Sequence, residues 1–353
     1  MMEGVQRSDV SQNVPVTAFT WVPAMGVGLL ALGYLAVALA HTFGVGSRIW
    51  GFGAALVFPA LLSIAACLVA FVLFLLSATV RLLRTRFNLA LSVVALAVSL
   101  AVVLGQLVGS PQPVPPRAVP SSETAGELRA LAWNVERKES SPSRLAELVS
   151  DTEADIAVFS EISMDDADRE SFSRNSSRNF QFLSAPNIPI VLLVGIDLGE
   201  YEVTSSDQSG AWTGLVAEPI DANSNSPRIV AVHVVRMNPV PWHEDFWGFG
   251  LDWVAQQCGE AATIALGDFN ADSVNMPGGR LGECRVPPAT ADVRFAPTWP
   301  TTLPATLGGA IDHVMVTPDW STTYGRALDI HANMSDHRPI FSVLTPTGNS
   351  ERN

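Results

Sequence analysis

Charge is almost missing from the first 110 residues of this 353-residue chain. Only Glu3, Arg7, Asp9, Arg48, Arg81, Arg84 and Arg86 fall there. Of the 21 basic and 34 acidic residues, the remainder of the chain therefore keeps 16 and 32, a net charge of −16 against −13 overall. A broad basic face is thus lacking, and with it the usual footprint of a protein that tracks a nucleic-acid backbone. Small phosphate esters and lipid head groups need no such face. Cysteine is scarce too, with three in all. Cys67 sits in an apolar stretch and reads as packing. Cys258 and Cys284 leave two readings open, a disulfide if this part is exported or a pair of buried free thiols. No internal repeat at solenoid periods is present.

What the first part does have is three long uncharged runs, 17–40, 53–80 and 88–109. Each exceeds the roughly 20 residues that a helix needs to cross a hydrocarbon core. They are rich in Leu, Val and Ala with scattered Gly. They predict a 16-residue tail and then three transmembrane helices over 17–109. Arg81, Arg84 and Arg86 lie between the second and third runs, against Arg48 alone between the first two. The positive-inside tendency puts the arginine-rich loop in the cytoplasm and everything after residue 109 outside. The runs contain essentially no ionisable residues, with no Asp, Glu, Lys, Arg or His among them, and His41 sits at an end. That favours an anchor over a channel or transporter.

Residues 110–127 are rich in Pro and Ser and predict an extended linker, about 50 Å long at most as polyproline II. From Leu128 the pattern changes to short apolar runs with helical segments between some of them. Strands are expected at 128–134, 156–159, 189–194, 211–217, 228–235, 263–266, 311–316 and 339–344. Helices are expected after Ser141-Pro142, a cap and first-turn pair, and over 246–257. This grammar predicts an α/β or α+β sandwich over 128–345, followed by a short tail over 346–353.

Polar residues able to do chemistry stand at the ends of these strands, where a rigid scaffold presents functional groups. Asn134 follows the first run, Glu161 the second and His233 ends another. Asp268 and Asn270 follow a fourth, Asp312 opens a fifth, and Asp336 and His337 precede the last. Alone, each has a plainer reading as a loop carboxylate, a turn or a core histidine. Their order gives them weight. Trp133-Asn134-Val135, Ser160-Glu161, Ala231-Val232-His233, Gly267-Asp268-Phe269-Asn270, Ile311-Asp312-His313 and Ser335-Asp336-His337-Arg338-Pro339 resemble, in that order, the motifs of the endonuclease/exonuclease/phosphatase superfamily. Ser160 stands where the family usually has Gln.

The resemblance implies two packed mixed β-sheets flanked by helices, a four-layer sandwich. It also implies Asn134, Glu161 and Asp336 as ligands of Mg²⁺ or Mn²⁺, a role that suits hard carboxylate oxygens. Asp268 is implied to position or activate water, and Asn270 to orient the phosphate. His337, supported by Asp312, is implied to face the scissile phosphate, and His233 to protonate the leaving oxygen. Which residue is base and which acid, and whether one metal binds or two, stays open. Trp299 reads either as a wall of the substrate pocket or as packing. Asp272 and Asp292 read as surface carboxylates, and His243 and His331 as structural or exposed.

The expected function is a membrane-anchored, divalent-metal-dependent phosphoesterase, multi-pass in the cell membrane with its catalytic domain extracytoplasmic. The bilayer and a phosphorylated substrate are its expected partners. Some membrane-anchored relatives are associated with lipid-linked pyrophosphates of the bacterial envelope, so a lipid phosphate or pyrophosphate comes first. An extracytoplasmic nuclease is the alternative. A non-catalytic binding module of the same fold is a third reading, from another class.

Overall fold

The protein is represented by a computed structural model that describes residues 58–79, 86–121, 126–136, 141–207, 213–221, 226–237, 245–259, 262–330 and 333–347. The first apolar run, the loop arginines Arg81 and Arg84, and His243 and His331 lie outside the described residues. The chain divides into two compact units, one of residues 1–37 and 63–104, the other of 38–62 and 105–353.

The first unit takes most of its described residues from two apolar helices, α1 (Pro59–Thr79) and α2 (Arg86–Gly109). Both carry exposed Leu and Val side chains along their length. Among the described residues one stretch, Ser92–Gly109, is long and apolar enough to cross a membrane, and Ala60–Leu76 is a shorter apolar helix.

Among the described residues the second unit has fourteen strands in two seven-stranded sheets. In chain order these are β1 (Leu128–Asn134), β2 (Ile156–Ser160), β3 (Phe180–Leu183), β4 (Ile190–Gly195), β5 (Tyr201–Ser206), β6 (Gly214–Pro219) and β7 (Arg228–His233). They continue with β8 (Thr263–Asp268), β9 (Arg280–Leu281), β10 (Cys284–Arg285), β11 (Val293–Arg294), β12 (Asp312–Val316), β13 (Trp320–Ala327) and β14 (Ile340–Pro346). One sheet runs β11-β13-β14-β1-β2-β4-β3 and the other β5-β6-β7-β8-β12-β10-β9. Both are mixed: β1 pairs parallel with β2 and antiparallel with β14, while β7 pairs parallel with β8 and β8 antiparallel with β12.

The central strands read as unbroken apolar runs because both faces are covered. Alternate residues Ala130, Ala132, Ile156, Val158, Ile264, Leu266 and Val314 pack between the sheets. The intervening Leu131, Trp133, Ala157 and Phe159 pack outward with Leu145 and Val149 of α3 (Pro142–Thr152) and Phe172 of α4 (Asp166–Asn175). On the other sheet Val230, Val232 and Ala265 pack outward with Trp247, Leu251 and Val254 of α5 (Phe246–Gln257). The layers are therefore helix, sheet, sheet, helix, as the sequence led us to expect.

Two local expectations need correcting. Ser141 stands at the cap of α3, but its hydroxyl makes no capping bond and lies 3.0 Å from the Ser143 hydroxyl. Pro142 at the first turn and the left-handed Glu153 after the helix define its ends instead. The Pro-rich segment is not an extended spacer throughout. Val114 bridges to Leu328 in parallel, donating its N–H to the Ala327 carbonyl at 3.0 Å and accepting from Asp329 N at 2.7 Å. Arg117 then pairs with Asp151 at 3.0 Å. Cys258, just past α5, and Cys284 of β10 form a disulfide, which settles the two readings left open above.

Candidate active site

The period-2 alternation that builds the core also builds the site. Asn134 continues the inward-facing set of Ala130 and Ala132, Asp268 that of Ile264 and Leu266, His233 that of Ile229 and Ala231. Asp312 begins the set of Val314 and Val316. At one end of the sandwich the space between the sheets therefore changes from aliphatic to polar. The ladder places Asp268 directly between Asp312 and His233, with β12 on one side and β7 on the other. Gly267 makes this spacing possible: its φ is 140°, and a Cβ there would collide with the Val232 carbonyl oxygen.

The structure brings the eight sequence-predicted residues together. Asn134 Nδ2 donates to Asp268 Oδ2 at 2.9 Å and to Glu161 Oε1 at 3.2 Å. Asn270 donates its backbone N–H to Asp268 Oδ1 at 2.8 Å and its Nδ2 to the Val234 carbonyl at 2.8 Å. His233 Nε2 lies 3.4 Å from Glu161 Oε1. His337 Nδ1 is 3.0 Å from Asp312 Oδ2, and its Nε2 is 3.9 Å from Asp268 Oδ2 and 3.8 Å from Asp336 Oδ1. A cavity of about 710 Å³ opens over this group. Trp299 lines it and donates its indole N–H to Asp336 Oδ2 at 2.8 Å, so it both walls the cavity and orients a carboxylate.

Burial and charge raise two buried groups of the site, Asp268 and His337, for different reasons. Burial pushes the Asp268 carboxyl up to about 6, Asp312 adds to the rise, and His337 and His233 oppose it. For His337, burial lowers the imidazole, but Asp312 and Asp268 outweigh it and raise the ring to about 10. Near neutral pH His337 is thus a buried cation held between carboxylates, while Asp268 is a base poised close to ambient pH. Burial also raises Asp336, against the Trp299 hydrogen bond.

Two sets of residues bear on a metal. Asp268, Asp312 and His337 offer ligand atoms within 4.8 Å of one another. A protonated imidazole has no lone pair to give, so this set reads better as a carboxylate–imidazolium–carboxylate array. Around Asn134, Glu161 and Asp336 the donors are hard oxygens, and Asp336 Oδ1 is buried without a hydrogen-bond partner. A divalent cation fits that orphaned carboxylate oxygen.

Sequence reasoning missed what four residues do at the site, although it marks Thr298, beside Trp299, as a candidate for the pocket wall. Glu136 turns into the left-handed region (φ 52°) and accepts the Asp336 N–H at 2.9 Å on Oε2. Its position two residues after Asn134 was the available signal. Ser335 donates to the Asn134 carbonyl at 2.6 Å and accepts the His337 N–H at 3.0 Å, tying β1 to the last loop. Thr298 Oγ1 accepts from the Ile311 and Asp312 amides at 3.2 and 3.4 Å. Arg236 lines the cavity. Glu161 (φ 60°) and Asn270 (φ 46°) are left-handed as well, so three site residues hold backbone conformations that cost about 1–3 kcal/mol each. Asp292 is exposed and Asp272 half-buried, and neither lines the cavity.

Two mixed sheets packed face to face carry a histidine–carboxylate centre where their inner layer ends, the architecture expected of the endonuclease/exonuclease/phosphatase sandwich. The chain belongs to the Endonuclease/Exonuclease/phosphatase family, whose profile matches residues 131–337. Solved structures similar to it include an endonuclease/exonuclease/phosphatase from Bacteroides vulgatus (15% identity, TM-score 0.46, covering 64% of this chain and 100% of that one). A functionally unknown conserved protein from Enterococcus faecalis V583 is similar at 14% identity and TM-score 0.45, covering 62% of this chain and 100% of that one. Truncated TDP2 from Caenorhabditis elegans is similar at 15% identity and TM-score 0.41, covering 62% and 98%. Among curated proteins none matches the chain.

Proposed function

We propose that this protein is a membrane-anchored, divalent-metal-dependent phosphoesterase that hydrolyses a phosphate ester or pyrophosphate at the outer membrane face, with a lipid-linked phosphate or pyrophosphate as its first candidate substrate. The observation that carries the reading is the Asp312–His337–Asp268 array, a fixed cation beside a near-neutral base. Asn134, Glu161 and Asp336, with Glu136 alongside, would hold Mg²⁺ or Mn²⁺. Such an ion supplies charge neutralisation at the phosphate oxygens.

The chain's own residues divide the remaining work. Asp268 orients the attacking water and takes its proton. His337, its Nδ1 fixed by Asp312, presents its protonated Nε2 to the phosphate and stabilises the charge that builds there. Asn270, pinned to Val234 and Asp268, orients a phosphate oxygen. His233 donates a proton to the leaving oxygen as the P–O bond breaks.

Three features support the location. The apolar helix stretch Ser92–Gly109 has the length of a span. The Cys258–Cys284 disulfide suits an oxidising compartment. The chain also joins the domain at its catalytic end, because Val114 pairs beside Leu328, whose N–H bonds the Pro339 carbonyl two residues after His337.

The full chain in detergent micelles, assayed with Mg²⁺ and with EDTA, tests the reading on polyprenyl pyrophosphate, sphingomyelin and plasmid DNA side by side. Metal-dependent turnover of a lipid substrate is expected. Nicking of DNA without lipid turnover would make the protein an extracytoplasmic nuclease, and binding without turnover of any of the three would make it a binding module.

A further inference from the structure

Four carboxylates stand on the wall of the cavity, with His233 and His337 among them. Glu136, Glu161, Asp268 and Asp336 all line it, and the buried Asp312 stands behind His337. Arg236 lines it as well, is exposed, and has no hydrogen bond or ion pair among the described residues. An arginine that shares a cavity with four carboxylates and pairs with none of them leaves its guanidinium fork open to an incoming ligand. That fork matches phosphate oxygens two at a time.

Its position along the chain says which part of a ligand it meets. β7 delivers His233 and the chain runs on as Val234, Val235, Arg236 and Met237. Val234 is fixed at both ends of its peptide unit, its N–H bonded to the Asp268 carbonyl at 2.9 Å and its carbonyl accepting Asn270 Nδ2 at 2.8 Å. Val235 and Met237 line the cavity on either side of Arg236. Arg236 therefore stands on the same wall as His233, the residue assigned above to the leaving oxygen. His337, with the ion that Asn134, Glu161 and Asp336 would hold, would answer the charge of one phosphate. A second phosphate adds negative charge that those groups leave unanswered and that a wall of carboxylates would repel.

We propose that Arg236 anchors a second phosphate, carried by the leaving group, and so selects diphosphate-type substrates over simple phosphodiesters. The proposal rests on the phosphoesterase reading and narrows its substrate class. The bond broken is then a bridging P–O bond. Water's oxygen ends on the scissile phosphorus, its proton on Asp268, and the departing phosphate takes the proton from His233.

Calorimetric titration of the full chain in detergent with Mg²⁺ tests this, using methylenediphosphonate as the two-phosphate probe and methylphosphonate as the one-phosphate probe. Arg236→Ala is expected to weaken methylenediphosphonate about tenfold and methylphosphonate less than about twofold, with Arg236→Lys between, since a lysine keeps the charge without the fork. Equal weakening of both probes would place Arg236 on the scissile phosphate and overturn the proposal, as would no weakening of either. Arg236→Gln, with thermal midpoints for all variants, guards against a folding defect in any one of them. The two readings fail separately. Diphosphonate selectivity that depends on Arg236, without hydrolysis of polyprenyl pyrophosphate, sinks the proposed reaction alone. Hydrolysis without such selectivity sinks this inference alone.

Discussion

Asp312 gives one carboxylate oxygen to His337 Nδ1 and keeps the other buried with no hydrogen-bond partner. That asymmetry fixes which ring nitrogen of His337 faces the cavity and keeps the ring charged. Asp312→Asn removes the charge while preserving the shape. We expect kcat to fall by about 10²–10⁴-fold and the alkaline limb of the pH profile to move down from about pH 10 toward the ordinary histidine range. An unmoved limb would show that Asp312 does not hold the proton on His337. In the wild type, activity should rise as Asp268 loses its proton near pH 6 and fall as His337 loses its own near pH 10. The two groups interact, so these limbs belong to the array as a whole. Stability follows the same groups by linkage. The His337 contribution is complete below the unfolded value of 6.5 and is lost as pH rises through about 10. Asp268, raised from 3.8 to about 6, makes the fold lose stability as pH climbs across that lower interval. Denaturant midpoints at pH 4, 7 and 10 should therefore show two separate declines, and a midpoint rising between pH 7 and 10 would contradict the charged His337.

Among the elements, the parallel β7–β8 pair is the most exacting. Gly267 sits where any side chain would strike the Val232 carbonyl, one residue before Asp268. Gly267→Ala is expected to cost more than about 1 kcal/mol and to depress activity further by shifting Asp268, readable as a lower thermal midpoint together with a lower kcat. Leu266→Ala, one residue earlier in the inter-sheet core, should cost about 2–5 kcal/mol with a smaller effect on kcat in the protein that remains folded. The sequence made the inner strands legible because they are buried on both faces: β1, β2, β7, β8, β12 and β14 appear as apolar runs, and the site residues follow from their ends. Helix α5 was predicted over the residues it occupies, 246–257. The strands β3, β5 and β13 escaped notice because they are partly exposed and carry polar residues, as in Tyr201–Ser206, where only Tyr201 is buried. Helix α4 escaped for a related reason: one residue of its ten, Phe172, is buried, and its start depends on a capping box between Asp165 and Asp168. Glu136, Ser335 and Thr298 join the site through backbone hydrogen bonds, which leave no periodic trace in a sequence.

For the molecule as a whole, the Cys258–Cys284 bond, across a sequence separation of 26, closes a loop that starts just past α5 and contains β8 and β9 of the second sheet. Replacing both cysteines by alanine should cost about 3 kcal/mol, seen as a lower denaturant midpoint that reducing agent no longer shifts. Protease added to intact cells should remove the catalytic domain, and its protection would contradict the outward orientation. The pinning of Val114 has a kinetic meaning as well. Between Gly109 and Val114 the chain spans about 18 Å at full extension, so on the membrane-anchored reading proposed above the domain would search a surface and not a volume. Its rate would then be set by the mole fraction of substrate in the bilayer. Diluting a lipid substrate with inert phospholipid slows turnover in proportion, while adding buffer at constant lipid composition leaves it unchanged.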